Sequence, residues 1–161
     1  EGASSRRRIC LIRHGESKAQ EVQLSCSERG KERRSTQGKA LLDCPLSGKG
    51  EMQARDLNRN YRATLEAVEL VVVSPLTRAL QTACMCFEGI NVPIIAHTGL
   101  AEFPISAEMS GYENTGRFVE DLTQDDELLS LSNFGSVDFS NIGLKERWWH
   151  SELGISPPFS P

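Results

Sequence analysis

Apolar positions gather in three short blocks over the first two thirds of the chain. "RICLI" (Arg8 to Ile12), "VELVVV" (Val68 to Val73) and "VPIIAH" (Val92 to His97) are brief and β-branched, and two of them are nearly continuous in hydrophobicity. Such runs predict strands of a parallel sheet covered on both faces. Between the first two, Ala54, Leu57, Tyr61 and Leu65 recur at spacings of three and four. That spacing predicts a helix from about Gly48 to Leu65 with Ser47 as its cap. Between the second and third, Ser74 and Pro75 predict a cap and a first-turn proline for a helix through about Phe87. Strand, helix, strand, helix, strand is the order of an α/β fold with a mostly parallel sheet and helices on both faces, three layers in all.

The rest of the pattern is less regular. Residues 18 to 44 carry few apolar positions and many Ser, Glu, Lys, Arg and Gln, which predicts a long polar loop with one helical turn near Lys39 to Leu42. A helix is expected within Gly111 to Leu131, around "GRFVEDL". A turn-rich stretch and the Trp148–Trp149 pair follow, the tryptophans packing against the domain edge. The tail from about 154 to 161, "GISPPFSP", is not expected to pack.

Length and composition then narrow the picture. A chain of 161 residues suits one domain with a real core, so residues 1–161 are read as a single unit. With 39% hydrophobic residues, 25% charged residues and a formal net charge of −4, nothing points to nucleic acid or a membrane surface as partner. The basic clusters at Arg6 to Arg8 and in "ERGKERR" (Glu28 to Arg34) read as solvated segments. Five cysteines, Cys10, Cys26, Cys44, Cys84 and Cys86, show no zinc-ligand spacing and read as reduced thiols, with Cys10, Cys84 and Cys86 expected as small buried hydrophobes. With no apolar run of membrane-spanning length and no signal peptide, a cytoplasmic location is the default expectation.

Chemistry enters at the strand ends. In open α/β sheets ligands settle at the carboxyl ends of strands. The first block ends in Arg13, His14, Gly15, Glu16 and Ser17, the second leads to Arg78, and the third leads to Glu102. Parallel, adjacent strands would converge two arginines, one histidine and one carboxylate on one crevice. Two guanidinium forks suit the oxygens of a phosphoryl group, and the helix beginning near Pro75 would aim free amides at the same anion. An imidazole there can attack phosphorus if its attacking nitrogen is unprotonated while the other donates to a fixed acceptor, expected to be backbone carbonyl near Gly15. Glu102, its pKa lifted by burial, would protonate the leaving oxygen. Glu16 and Ser17 read as helix-entry or loop groups, and Ser17 is also a hydroxyl able to hydrogen-bond phosphate.

Four blocks of this chain resemble the histidine phosphatases, the phosphoglycerate mutase-like superfamily. They are "LIRHGES" (Leu11 to Ser17), "DCPLSGKGEMQA" (Asp43 to Ala54), "VVVSPLTRALQTA" (Val71 to Ala83) and "GLAEF" (Gly99 to Phe103), in the family's order; "ENTGR" and the tryptophan pair are similar to some eukaryotic members. The resemblance covers roughly residues 8 to 118. It implies a phosphorylated nucleophile at His14, phosphate ligands at Arg13 and Arg78, a proton donor at Glu102, and neither metal nor organic cofactor. Where members carry a phosphate-touching asparagine, this chain has Gln20. Nothing after Glu102 reads as an apolar strand followed by His-Gly, so the family's second catalytic histidine has no counterpart and the sheet is expected to be incomplete at its C-terminal end. His97 and His150 are expected as loop or partly buried side chains. The implied activity is phosphomonoester hydrolysis through a phosphohistidine, on a phosphorylated small molecule or phosphoprotein. The alternatives are a truncated non-catalytic phosphate-binding or interaction module and a mutase-type phosphotransferase.

Overall fold

A computed structural model describes residues 8–27, 42–102 and 114–149, with backbone alone at 23–27. Its centre is a parallel sheet of β1 (Val71–Val73), β2 (Ile94–Ala96) and β3 (Val137–Asp138), in that spatial order. Val71 faces Ile94 and Val73 faces Ala96 across the first pair; Ile94 faces Val137 across the second. The second and third apolar blocks therefore form adjacent parallel strands. Parallel neighbours need a crossover, and α4 (Thr77–Cys86) supplies it between β1 and β2. The class is α/β, as the order of elements predicts. β3 was not anticipated: two residues give no period to read.

The first apolar block is not a strand. Residues 8–16 make no ladder among the described residues, and Ile9 and Leu11 stand 87% and 92% exposed. A strand exists only by pairing, and β2 already has β1 on one edge and β3 on the other. Cys10 is likewise exposed rather than buried, while Cys44, Cys84 and Cys86 are buried.

The polar stretch that follows begins as a helix, α1 (Lys18–Ser27), not as loop. Its start is set by a reciprocal pair: Gln20 N–H donates to Ser17 Oγ at 3.3 Å and Ser17 N–H donates to Gln20 Oε1 at 3.0 Å. Ser-x-x-Gln is a capping box, a signal present in the sequence and outweighed by the lack of apolar periodicity. The turn expected near Lys39 lies mainly outside the described residues.

The helix expected over Gly48 to Leu65 is present in two pieces, α2 (Gly48–Asn60) and α3 (Arg62–Glu66), separated at Tyr61. Ser47 caps α2 as expected, accepting from Gly50 N–H at 3.1 Å. Ala54 and Leu65 face the core, whereas Tyr61 is exposed. Asn58 ties α2 to the end of α4 by donating to the Cys86 carbonyl at 2.6 Å. Helix α4 starts at Thr77, two residues beyond the expected proline position, and Leu76 gives it no side-chain cap. In place of the single helix around "GRFVEDL" stand α5 (Val119–Leu122) and α6 (Asp126–Leu129). Asp125 separates them, capping α6 by accepting from Leu128 N–H at 3.0 Å. Trp148 and Trp149 are buried in the core, ring centroids 5.5 Å apart and edge to face.

Candidate active site

Helix α4 is buried on almost every side, yet Thr77, Arg78, Gln81 and Thr82 along it are polar. Each buried polar group needs a partner, and these partners are the loops that carry the site. Gln81 Oε1 accepts from Leu46 N–H at 2.7 Å. Thr82 Oγ1 accepts from Gly15 N–H at 3.1 Å and donates to the Arg78 carbonyl at 2.7 Å. The loop holding His14 is thereby fixed to the helix holding Arg78. Glycine is required at position 15, because a Cβ there would lie 2.4 Å from the Gly50 carbonyl oxygen.

His14 Nδ1 lies 2.7 Å from the carbonyl oxygen of Gly15. A carbonyl only accepts, so Nδ1 carries the proton and Nε2 carries the lone pair. Arg78 Nε–H donates to that Nε2 at 3.3 Å. Burial holds the His14 pKa below its ordinary 6.5; the Gly15 carbonyl opposes this, the Arg78 and then Arg13 charges add to it, and Glu102 weakly opposes. The carbonyl partner expected near Gly15 is the one found.

Arg78 is 2% exposed, and an arginine so buried has to be compensated. Besides His14, its Nη2 donates to Glu102 Oε2 at 3.0 Å and to Asn114 Oδ1 at 2.6 Å. His14, Arg78 and Glu102 thus meet in one hydrogen-bonded cluster. The burial expected of Glu102 is absent: its side chain is 55% exposed. Arg13 is exposed as well, since the segment before it joins no strand. It lines a cavity of about 200 Å³ with His14, Gly15 and, from α2, Gln53 and Leu57. Arg78 and Glu102 do not border this cavity, and the charges of both arginines act on the His14 imidazole.

The other expected positions have these partners. Ser17 and Gln20 use the hydroxyl and the carboxamide oxygen in the α1 capping box. The amide of Thr77 at the start of α4 goes to Asp43 rather than outward. His97 is exposed and caps the 3₁₀ turn Thr98–Leu100, its Nδ1 accepting from Gly99 N–H at 3.0 Å. His150 lies outside the described residues.

Three further participants escaped the sequence reading. Asp43, fully buried and at φ 41°, takes both polar groups of Thr77, with Oδ1 to N–H at 2.9 Å and Oδ2 to Oγ1 at 2.6 Å. Arg117 donates to Asp43 at 3.2 Å, to Thr77 Oγ1 at 2.8 Å and to Asp125 at 2.7 Å. Burial pushes the Asp43 carboxyl up to about 6, against the lowering effects of Thr77 and Arg117. Asn114 is the third. The available signal was a charged or amide residue inside "DCPLSGKG" and "ENTGR", blocks otherwise assigned no chemistry.

Among the described residues no group of three or more His, Cys, Asp or Glu could hold a metal ion, and no helix is long and apolar enough to cross a membrane.

The chain is similar to several known proteins. The chain is 34% identical over 87 residues to "Uncharacterized phosphatase PhoE" of Bacillus subtilis (strain 168), a match covering 54% of this chain and 37% of that protein. Among solved structures it is similar to a "putative alpha-ribazole-5'-P phosphatase" of Escherichia coli K-12 MG1655, with TM-score 0.44 and 24% identity over 77% of this chain and 50% of the other. It is also similar to the phosphoserine phosphatase of Entamoeba histolytica in complex with 3-phosphoglyceric acid, with TM-score 0.38 and 22% identity over 81% and 55%. The chain thus spans about half or less of the length of these relatives. The family model of the histidine phosphatase superfamily (branch 1) matches residues 9–125, a span that includes His14, Arg78 and Glu102. The chain belongs to that superfamily.

Proposed function

We propose that this protein hydrolyses a phosphomonoester through a phosphohistidine on His14. The observation that carries the reading is the imidazole itself: Nδ1–H is held on the Gly15 carbonyl at 2.7 Å, which leaves the Nε2 lone pair against the buried guanidinium of Arg78 at 3.3 Å. Nε2 attacks phosphorus, forming the N–P bond as the P–O ester bond breaks. Glu102 delivers the proton to the departing oxygen. Water then attacks the phosphohistidine, the N–P bond breaks, inorganic phosphate leaves, and the proton from water returns to Glu102. Arg78 and Arg13 stabilise the charge on the equatorial oxygens, a contribution whose loss typically costs about 10²-fold or more in rate. The substrate is a phosphorylated small molecule or a phosphoprotein, and the step calls for no metal.

A second reading has its own support. Glu102 is more than half exposed and Arg13 is exposed too, features that suit a phosphate-binding module without turnover. A mutase-type transfer shares the first half-reaction and differs in keeping product bound and water out. Incubation with p-nitrophenyl phosphate separates these. Release of nitrophenol that is lost in His14→Ala supports hydrolysis; equal inertness of both proteins, with phosphate still raising the melting temperature, supports the binding module.

A further inference from the structure

Asn114 is 5% exposed, and its two polar atoms differ in fate. Oδ1 accepts from Arg78 Nη2 at 2.6 Å, whereas Nδ2 is buried with no hydrogen-bond partner among the described residues. The assignment is fixed by chemistry: a guanidinium only donates, so the oxygen faces Arg78 and the NH₂ group faces away from it. Buried donors left unmade are uncommon and costly, and in native proteins they mark a missing acceptor. Oδ1 and Nδ2 share one carbon, so the unused donor stands one amide width from the guanidinium that also touches His14 and Glu102. The acceptor that such a place lacks is an anionic oxygen.

We propose that Asn114 is a substrate-binding residue, its Nδ2–H donating to an oxygen of the phosphoryl group held beside His14 and Arg78. This rests on reading the cluster as a phosphoryl site. A carboxamide suits the task because it adds a directed donor without adding charge, and its oxygen keeps the buried guanidinium in place at the same time.

The test measures inorganic phosphate and orthovanadate affinity by calorimetry, and p-nitrophenyl phosphate kinetics, for wild type, Asn114→Asp, Asn114→Ala and His14→Ala. Asn114→Asp retains the acceptor for Arg78 and removes the donor. Both Asn114 variants are expected to weaken phosphate and vanadate binding by about tenfold or more, the ordinary effect of losing one hydrogen bond to an anion. The inhibition constant of phosphate rises in parallel with the fall in kcat/KM. The melting temperature without phosphate stays within a few degrees of wild type for Asn114→Asp, which a purely structural amide would not allow. Wild-type phosphate affinity in both Asn114 variants, with wild type active and His14→Ala silent, overturns the role of Asn114 alone. Wild type that neither binds phosphate or vanadate nor turns over the ester overturns the phosphoryl-site reading and this proposal with it.

Discussion

Asp43 and Thr77 are joined twice, carboxylate oxygens meeting the backbone N–H at 2.9 Å and the hydroxyl at 2.6 Å, across 34 positions of sequence. Thr77 opens α4 and precedes Arg78, so a carboxylate from a distant loop serves as cap for the helix that carries the site's buried cation. Asp43→Ala leaves the N–H of Thr77 and the guanidinium of Arg117 without this partner. It is expected to cost about 2–4 kcal/mol of stability, read from urea unfolding midpoints at neutral pH.

The same carboxyl makes stability depend on pH. Its folded pKa of about 6 lies above the ordinary 3.8, so the folded state holds a proton that the unfolded state has released. This contribution is fully present below about pH 4 and is lost as pH rises through 6. Asn in its place does not titrate. Urea midpoints of wild type and Asp43→Asn between pH 4 and 7 should show that downward component in wild type alone.

For His14 the shift runs the other way. Burial and the neighbouring arginines lower its pKa, so the imidazole stays neutral below the usual 6.5. Arg78→Met removes a nearby positive charge and is expected to move the His14 titration to higher pH. The Cε1 proton resonance followed by NMR measures this; an unmoved or lowered midpoint counts against the electrostatic coupling.

Gly15 and Gly50 touch so closely that neither tolerates a side chain: a Cβ on Gly50 would sit 2.0 Å from the Glu16 carbonyl oxygen. Either alanine variant has to shift backbone. The expected destabilisation is about 1–3 kcal/mol, with phosphate affinity reduced because the His14 loop moves with it. Ala at Gly48, which meets nothing within 4 Å, is the control and should leave both readings unchanged.

Thr82→Val replaces the hydroxyl that links Gly15 N–H to the Arg78 carbonyl by an isosteric methyl. A buried N–H then loses its acceptor, with an expected cost of about 1–3 kcal/mol by thermal or urea unfolding and a slower reaction at His14.

What could be read in advance follows the range of the forces involved. β1, β2 and α4 came from local signals, a β-branched run or a helical spacing beside a proline, and the imidazole's carbonyl partner came from its immediate neighbour Gly15. The first apolar block misled because apolar character specifies burial without naming a partner, and Ile9 and Leu11 find none among the described residues. The capping box of Ser17 and Gln20 was a local signal overlooked, since the residues after it lack apolar spacing. Asp43, Arg117 and Asn114 were beyond reach for a different reason. Apart from Asp125 beside Arg117, their partners lie 34 to 74 positions away, and no periodicity records a contact made by one side chain at that distance.

The central claim is that His14 Nε2 takes up the phosphoryl group. Intact mass and peptide mapping after mixing with p-nitrophenyl phosphate and quenching at alkaline pH test it directly. A single added phosphoryl group is expected, stable to base, labile to acid and mapped to His14, and none in His14→Ala. Turnover that proceeds equally in His14→Ala, or an adduct mapped to any other side chain, would contradict it.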